Sequence, residues 1–389
     1  MSGFAGPGLH RAAWLEIDLA AVRHNVRVIR SLVGAAAVAP VIKADAYGHG
    51  SERTAQALAD VCEALCVATL DEAMALRARV PSRVLLLYPI PRAAAADAVT
   101  AGVELTIMSA ADFQHLQQVA PHDRPPVPLH LCVETGLGRG GLPLEAVVAV
   151  AQAAQADPRF RLAGLWSHLA SPADAEASSR QVERFGAAAG ALAQAAIIVP
   201  ARHLSSSGPI FSRSAPPLEL VRPGLAVYGV LDAALPVAAD AGAAAASLRP
   251  AMSLKARAVA FSQIPVGGTA GYGGLWRAER PSRIAILPVG YADGYLRGAQ
   301  PGAGALVCGV RVPLVGVISM DALAVDVTDL PDLDQEAEFV LLGRQGEEVI
   351  TVGELARSRN SIAWEVLSSM AARLDRVYYP EAGQARQDE

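Results

Sequence analysis

No excess of basic residues marks this chain. Its 33 Lys and Arg stand against 38 Asp and Glu, a net charge of −5 at pH 7, and its pI is near 5.9. Composition therefore offers no basic patch for a polyanion, and nucleic acid is not an expected partner. Long apolar runs are missing too. Mean hydropathy is +0.30, but much of it comes from alanine, and stretches such as Ala241–Ala246 are too short and too weakly hydrophobic to span a bilayer. No membrane partner is expected. The opening MSGFAGPGLHRAAW lacks the continuous apolar segment of an export signal. Cysteine is scarce: Cys62, Cys66, Cys132 and Cys308 are scattered, and the Cys62/Cys66 spacing does not recur as a paired metal motif. No metal is expected, and reduced thiols in a cytoplasmic protein are the favoured reading. There is no repeat of solenoid period, and low complexity is limited to alanine enrichment and a short polar tail, GQARQDE.

What is present is enough for two buried domains. The chain has 389 residues, 52% hydrophobic and 18% charged, which favours a well-buried globular protein longer than one core usually serves. From about residue 38 to 230, short apolar runs alternate with longer helical patterns. The runs are VAPVIKA (38–44), ALCVATL (64–70), RVLLLYPI (83–90), VELTIMS (103–109), VPLHLCVE (127–134), LAGLWSHLA (162–170), ARHLSSS (201–207) and LELVRPG (218–224). Eight strand-like runs with intervening helices predict an α/β fold, a (β/α)8 TIM barrel over residues 14–245. After the alanine-rich segment 235–249 the pattern changes to β-rich runs at 252–264, 282–291, 305–320 and 338–351, separated by Gly, Pro and Asp turns. These predict a mainly β C-terminal domain over 246–384. The early run AWLEIDLAA suits either a barrel strand or an extra strand of the second domain.

Barrel enzymes place their chemistry at the C-terminal ends of the strands. Lys43 closes the first run, Arg139 follows the fifth in TGLGRGG, His168 ends the sixth, Ser207 the seventh, and Arg222 with Gly224 the eighth. Lys43 in VIKADAYGHG has two readings. One is a snorkelling or ion-paired lysine at a strand end. The other is a lysine made nucleophilic by partial desolvation and able to form a Schiff base. The glycines around Arg139 make a turn in the plainer reading, while SSSG (205–208) and RPG (222–224) could donate hydroxyl and backbone N–H groups to one phosphate.

Together these residues carry a family resemblance. VIKADAYGHG, ETGLGRGG, GLWSHLA, HLSSSG, VRPGLAVYG, GYGGLW, PVGYADGYLR and VGVISMD, in this order over nearly the full length, resemble bacterial alanine racemase. The resemblance implies a pyridoxal 5'-phosphate (PLP)-binding barrel followed by a β domain, and interconversion of L- and D-alanine by two bases that supplies D-alanine for peptidoglycan. Lys43 would hold the cofactor and serve one face of Cα, and Tyr272 the other. A tyrosine of ordinary pKa near 10 is a weak base at neutral pH, so His168 would hydrogen-bond Tyr272 and be poised by Arg222. A guanidinium at the pyridine nitrogen cannot pass it a proton, which should disfavour transamination. Tyr47, Ser207 and Gly224 would hold the phosphate. Arg139 would meet the cofactor phenolic oxygen or the substrate carboxylate. Tyr291, Met320 and Asp321 would shape the substrate pocket. In the family Tyr272, Tyr291 and Met320 reach the other subunit's site, which implies a homodimer with shared active sites.

Three positions depart from the pattern. Cys132 stands where the family usually has a lysine, often carbamylated, that steadies the equivalent of Arg139; a bound anion or another side chain would have to replace it. Trp364, among the cofactor-binding positions, replaces a common tyrosine, and Val317 a common arginine. The other readings are a racemase of serine or broader specificity, a PLP-barrel decarboxylase and a non-catalytic PLP carrier. A decarboxylase would be expected to carry an acidic residue in place of Arg222 and to lack the Tyr272 base, and a carrier to be a single barrel.

Overall fold

The computed structural model describes residues 10–295, 297 and 303–379. The expected domain end at 384, the tail GQARQDE, most of the opening segment and Leu296 of PVGYADGYLR lie outside them. The described chain divides into two compact units, one of Ala21–Ala46 and Ser51–Arg249, the other of 10–20, Tyr47–Gly50 and 250–379.

All eight barrel runs contain strands. After β1 (Ala13–Asp18) come β2 (Ala37–Val38), β3 (Ala64–Val67), β4 (Arg83–Leu86), β5 (Leu105–Ile107), β6 (Val127–Cys132), β7 (Phe160–Trp166), β8 (Ala201–His203) and β9 (Leu220–Val221). Parallel ladders join β3 to β4, β5 through β8 in sequence, and β9 back to β2. Single bridges at Val41–Cys66 and Leu85–Glu104 complete the circuit, with Arg222 donating its N–H to the Ser205 carbonyl at 2.9 Å. The result is a closed (β/α)8 barrel. Its strands are covered on both faces, so they read as continuous apolar runs: every residue of β3 and β5 is buried.

The strands are shorter than the runs. The regular ladder at Ala37–Val38 overlaps VAPVIKA (38–44) only at Val38, but Ala39, Val41 and Ile42 still donate their N–H groups to the Val221, Pro223 and Cys66 carbonyls before the turn that starts at Lys43.

The second unit is built on antiparallel pairing. Its strands are β10 (Met252–Arg257), β11 (Ala260–Ile264), β12 (Thr269–Ala270), β13 (Trp276–Arg277), β14 (Ser282–Leu287), β15 (Gly304–Val307), β16 (Val310–Val315), β17 (Leu323–Asp326), β18 (Glu338–Gln345), β19 (Glu348–Ile350) and β20 (Asp375–Tyr379). The main sheet runs β11-β14-β17-β16-β15-β18-β10-β1-β20. The ambiguous run AWLEIDLAA is thus resolved: β1 pairs antiparallel with β10 and parallel with β20. Burial alternates strictly along β10, as expected of strands with one face on the core. Cys308 and Gly309, both at positive φ, form the two-residue turn between β15 and β16. No described helix is long and apolar enough to cross a membrane.

Candidate active site

The chain contains two lysines, and their surroundings drive them in opposite directions. Lys255 lies between Glu16 at 3.0 Å and Glu338 at 2.9 Å. Burial works against its charge, but the carboxylates outweigh it and raise its pKa. Lys43 is lowered instead, first by burial and then by the charge of Arg139, with Glu72 opposing. Only Lys43 is moved towards the free amine.

The backbone after Lys43 is unusual. Ala44, Asp45, Ala46 and Tyr47 have φ of 52°, 53°, 56° and 52°, a left-handed turn without a glycine. Such a turn costs roughly 1–2 kcal/mol per residue, so its surroundings must hold it. Ala44 donates its N–H to Glu72 at 2.7 Å, Ala46 to the Ile42 carbonyl at 3.0 Å, and Ser51 to the Asp45 carboxylate at 2.8 Å. Glu72 also completes the capping box of the helix Leu70–Arg77, accepting from Thr69. One carboxylate thereby anchors both a helix start and the lysine turn.

Arg139 rides on a loop organised by Glu134, whose Oε1 accepts from Gly136 at 2.6 Å and Gly138 at 3.1 Å. A Cβ at Gly141, where φ is 137°, would fall 2.7 Å from the Glu134 nitrogen, so the loop needs glycine there. The Arg139 guanidinium lies 5.4 Å from the centre of the Tyr88 ring, and the Lys43 ammonium 5.7 Å from the same ring. Cys132, at the end of β6, is buried, and burial pushes its thiol up to about 12. It stays neutral and carries no charge with which to brace Arg139.

Arg222 is 2% exposed and heads a chain of buried groups. It donates to His203 Nδ1 at 2.5 Å and to the His203 and Ser167 carbonyls at 2.8 and 2.7 Å. His203 Nε2 meets His130 Nδ1 at 2.8 Å, and His130 Nε2 meets Glu104 Oε2 at 2.8 Å. Arg83 closes the far end on Glu104 at 2.7 Å. Because a guanidinium only donates, each bond fixes the next. His203 must accept at Nδ1 and donate from Nε2; His130 must do likewise; Glu104 must be ionised. Burial pushes the pKa of both histidines down, and His130 and Arg83 hold Glu104 at about 2 against its own burial. Burial brings Arg222 to about 10, still protonated at neutral pH. The chain passes so close to β7 that a Cβ at Gly164 would lie 2.1 Å from His130 Nδ1. Trp166 flanks it, with Arg222 4.7 Å from its ring.

His168 is lowered to about 3, by burial first and then by Arg222, Arg139 and Lys43. Lys43, Arg139, His168 and Arg222 therefore share one electrostatic neighbourhood, as their positions at the strand ends require. Ser207 and Gly224 also meet: Gly224 and Ala226 donate their N–H groups to Ser207 Oγ at 2.9 and 3.1 Å.

The remaining expected residues lie in the second unit. Gly48, next to Tyr47, sits where a Cβ would be 2.4 Å from the Leu367 carbonyl, against the helix Ala363–Ser368 that carries Trp364. Tyr272 follows Gly271, which packs on Val317. Tyr291 and Ala292 bond the Ser319 and Met320 carbonyls at 3.0 Å each. Three loops thus gather Tyr272, Tyr291 and Met320, which are 72%, 39% and 53% exposed. Asp321 accepts from Arg373 at 2.5 Å, and Arg373 also binds the buried Asp293.

Sequence reasoning missed Tyr88, Trp166, His203, His130 and Glu104. His130 and His203 did leave a signal, since a polar residue inside an apolar strand run is informative. The donor set suits PLP. It joins an amine discouraged from protonation, a hydroxyl beside backbone N–H groups for an anion, and an obligate donor, Arg222, whose bonds above do not use Nε. Among the described residues no group of His, Cys, Asp and Glu could hold a metal.

Residues 17–232 match the alanine racemase N-terminal domain family, and residues 251–378 the alanine racemase C-terminal domain family. Alanine racemase of Desulfosudis oleivorans is 34% identical over 94% of this chain and 96% of its own. That of Sorangium cellulosum is 36% identical over 93% and 98%. Among solved structures, the biosynthetic alanine racemase of Pseudomonas aeruginosa superposes with a TM-score of 0.82, at 33% identity over 95% of this chain and 99% of its own.

Proposed function

The chain belongs to the alanine racemase family, and from that premise we propose that it interconverts L- and D-alanine with PLP, using Lys43 and Tyr272 as its two bases. The observation that carries this reading is Lys43: the one lysine moved towards its neutral form stands among Arg139, His168 and Arg222 at the rim of the barrel. PLP would be held covalently by Lys43, at its phosphate by Tyr47, Ser207 and Gly224, and at its pyridine nitrogen by Arg222, with Trp364 also among the cofactor-binding positions. Once bound, it draws electron density from Cα of an attached amino acid and acidifies the Cα–H bond.

The chain's own residues do the rest. The Lys43 amine takes the Cα proton on one face, or returns one to it. The partner subunit's Tyr272 does the same on the other face, beside His168, whose low pKa leaves it neutral and able to accept a hydrogen bond. Arg222 keeps its protons, so negative charge at Cα is spread less far and prompt reprotonation is favoured over transamination. Arg139 orients the cofactor phenolic oxygen or the substrate carboxylate. Tyr291, Met320 and Asp321 bound a small pocket. Discrimination against one further methylene would be modest, about 1–3 kcal/mol.

The exposure of Tyr272, Tyr291 and Met320 supports a homodimer with shared active sites. The four cysteines are free, which fits a cytoplasmic setting, where the D-alanine formed would supply peptidoglycan.

The test is incubation of the PLP-loaded protein with L-alanine, and separately L-serine, in D₂O. Cα deuteration together with D-alanine is the expected result, with serine slower. Release of carbon dioxide from a diamino acid without deuteration of alanine would overturn the proposal.

A further inference from the structure

We propose that Tyr88 is a positioning residue, whose ring holds the Lys43 ammonium and the Arg139 guanidinium together and takes the place of the bracing group that Cys132 cannot supply. Tyr88 lies two residues beyond the end of β4, half-buried at the rim. Its ring centre is 5.7 Å from the Lys43 nitrogen and 5.4 Å from the Arg139 guanidinium carbon. Both distances fall within the roughly 6 Å over which a cation is drawn to an aromatic face.

Two cations this close repel each other, and Arg139 already opposes the charge on Lys43. The one nearby carboxylate that offsets it, Glu72, is committed to Ala44 and to its helix cap. The remaining groups facing Lys43 are the Cys66 thiol, pushed up to about 12 by burial, and His168, pushed down to about 3; both are neutral. Cys132 is neutral as well. The electron-rich ring is therefore the feature that lets the arginine stay beside the lysine without a bracing anion. The ring, not the hydroxyl, makes both contacts, so phenylalanine should serve in its place and leucine should not.

The two lysines make a direct test possible. The full chain, freed of cofactor by dialysis against hydroxylamine, is trace-labelled with acetic anhydride from pH 6 to 10. The Lys43/Lys255 ratio is read by mass spectrometry, with Lys255, clasped by Glu16 and Glu338, as internal reference. In Tyr88→Leu the ammonium loses its ring. The Lys43 midpoint should move to lower pH, raising the neutral fraction at a fixed pH about two- to five-fold. Tyr88→Phe should restore the wild-type midpoint.

A ring that only packed would give the opposite sign: its removal would wet the site, relieve burial and move the midpoint up. A midpoint that rises or stays put overturns the proposal, as does a Phe variant that behaves like Leu. Should Tyr88→Leu not fold, Tyr88→Met is read in the same way. The kinetic arm rests on the proposed function: in the PLP-loaded protein, Tyr88→Leu should raise KM for alanine several-fold with a smaller change in kcat, and an unchanged KM counts against the role. If the unaltered chain does not racemise alanine, the proposed function fails, while the labelling arm still decides the role of Tyr88.

Discussion

The barrel rim and the exposed loops of the β unit are both expected to serve one reaction, yet they are built in opposite ways. Around Arg222 everything is buried and committed: Arg222, His203, His130 and Glu104 are bonded in series, and each bond dictates the protonation of the next. Tyr272, Tyr291 and Met320 are displayed on loops fixed by backbone contacts and close-packed glycines such as Gly290, where a Cβ would lie 2.3 Å from the Met320 carbonyl. Their side chains are all exposed, Tyr272 most and Tyr291 least. The difference indicates that the rim sets the electrostatics in advance, whereas the loops supply reach. Substitutions within the buried Arg222–His203–His130–Glu104 chain should disturb folding and chemistry together, and substitutions at the loops should disturb chemistry alone.

The largest effect on function is expected at Lys43. Lys43→Ala removes the only lysine of the rim, since the other, Lys255, is held by two carboxylates in the other unit. Racemisation and the cofactor's visible absorbance band on the protein should both disappear. A band that persisted would mean that PLP is held without Lys43. Because Lys43 lies beside like charges, the substitution should leave the denaturation midpoint unchanged or slightly higher.

The buried chain carries the largest expected effect on stability. Glu104→Ala leaves His130 with an unpaired donor and removes the charge that Arg83 binds. A cost of about 3 kcal/mol is expected, read as a lower urea midpoint at unchanged m. Gly164→Ala should be at least as damaging, since its methyl would meet His130 and His203. If Glu104→Ala were neutral, the chain would not be a unit, and the contrast between rim and loops would weaken.

Acid should expose the same contrast more gently. His130, His168 and His203 have pKa values lowered below their unfolded value near 6.5. The unfolded chain therefore binds protons that the folded chain refuses as pH falls below 6.5. Each such histidine contributes a loss of up to about 1.4 kcal/mol per pH unit. Glu104, depressed to about 2, adds stability that is fully present above its unfolded pKa near 4.5 and is lost as pH falls towards 2. Urea midpoints should decline from pH 6.5 downward, with a second decline below pH 4.5, shared with other depressed carboxylates such as Asp60 and Asp293, that is smaller in Glu104→Gln. A flat profile from pH 7 to 5 would show that the histidines are not held neutral.

Much of this was legible in the chain. The eight runs contain strands, and the reactive residues at their ends meet, because parallel strands covered on both faces leave an unmixed apolar signature and a barrel brings their ends to one rim. The left-handed turn after Lys43 was not legible. Ala44–Tyr47 contains no glycine to announce positive φ, and the conformation is imposed by Glu72 and Asp45. Nor could periodicity assign β1, whose alternation suits either unit; only its partners, far along the chain at β10 and β20, decide. Tyr88 was missed because an aromatic residue ending an apolar run looks like core until its ring is found beneath two cations.

The smallest effect on stability, and the sharpest test of the contrast, is expected at Tyr272. Its side chain is 72% exposed, and its position is set by Gly271 and its neighbours rather than by side-chain packing. Tyr272→Phe should therefore change the unfolding free energy by less than about 0.5 kcal/mol and leave the absorbance of the bound cofactor intact. What it removes is the hydroxyl proposed to serve one face of Cα. The variant should fail as a base towards one enantiomer while Lys43 still exchanges the Cα proton of the other. In D₂O this appears as deuterium entering that enantiomer without inversion, and the solvent isotope effects for the two directions should diverge. If both directions slowed equally and exchange were lost with them, Tyr272 would not be a one-sided base. If the variant unfolded early instead, the loop would be part of the folded core, and the division between a committed rim and free-standing loops would not hold.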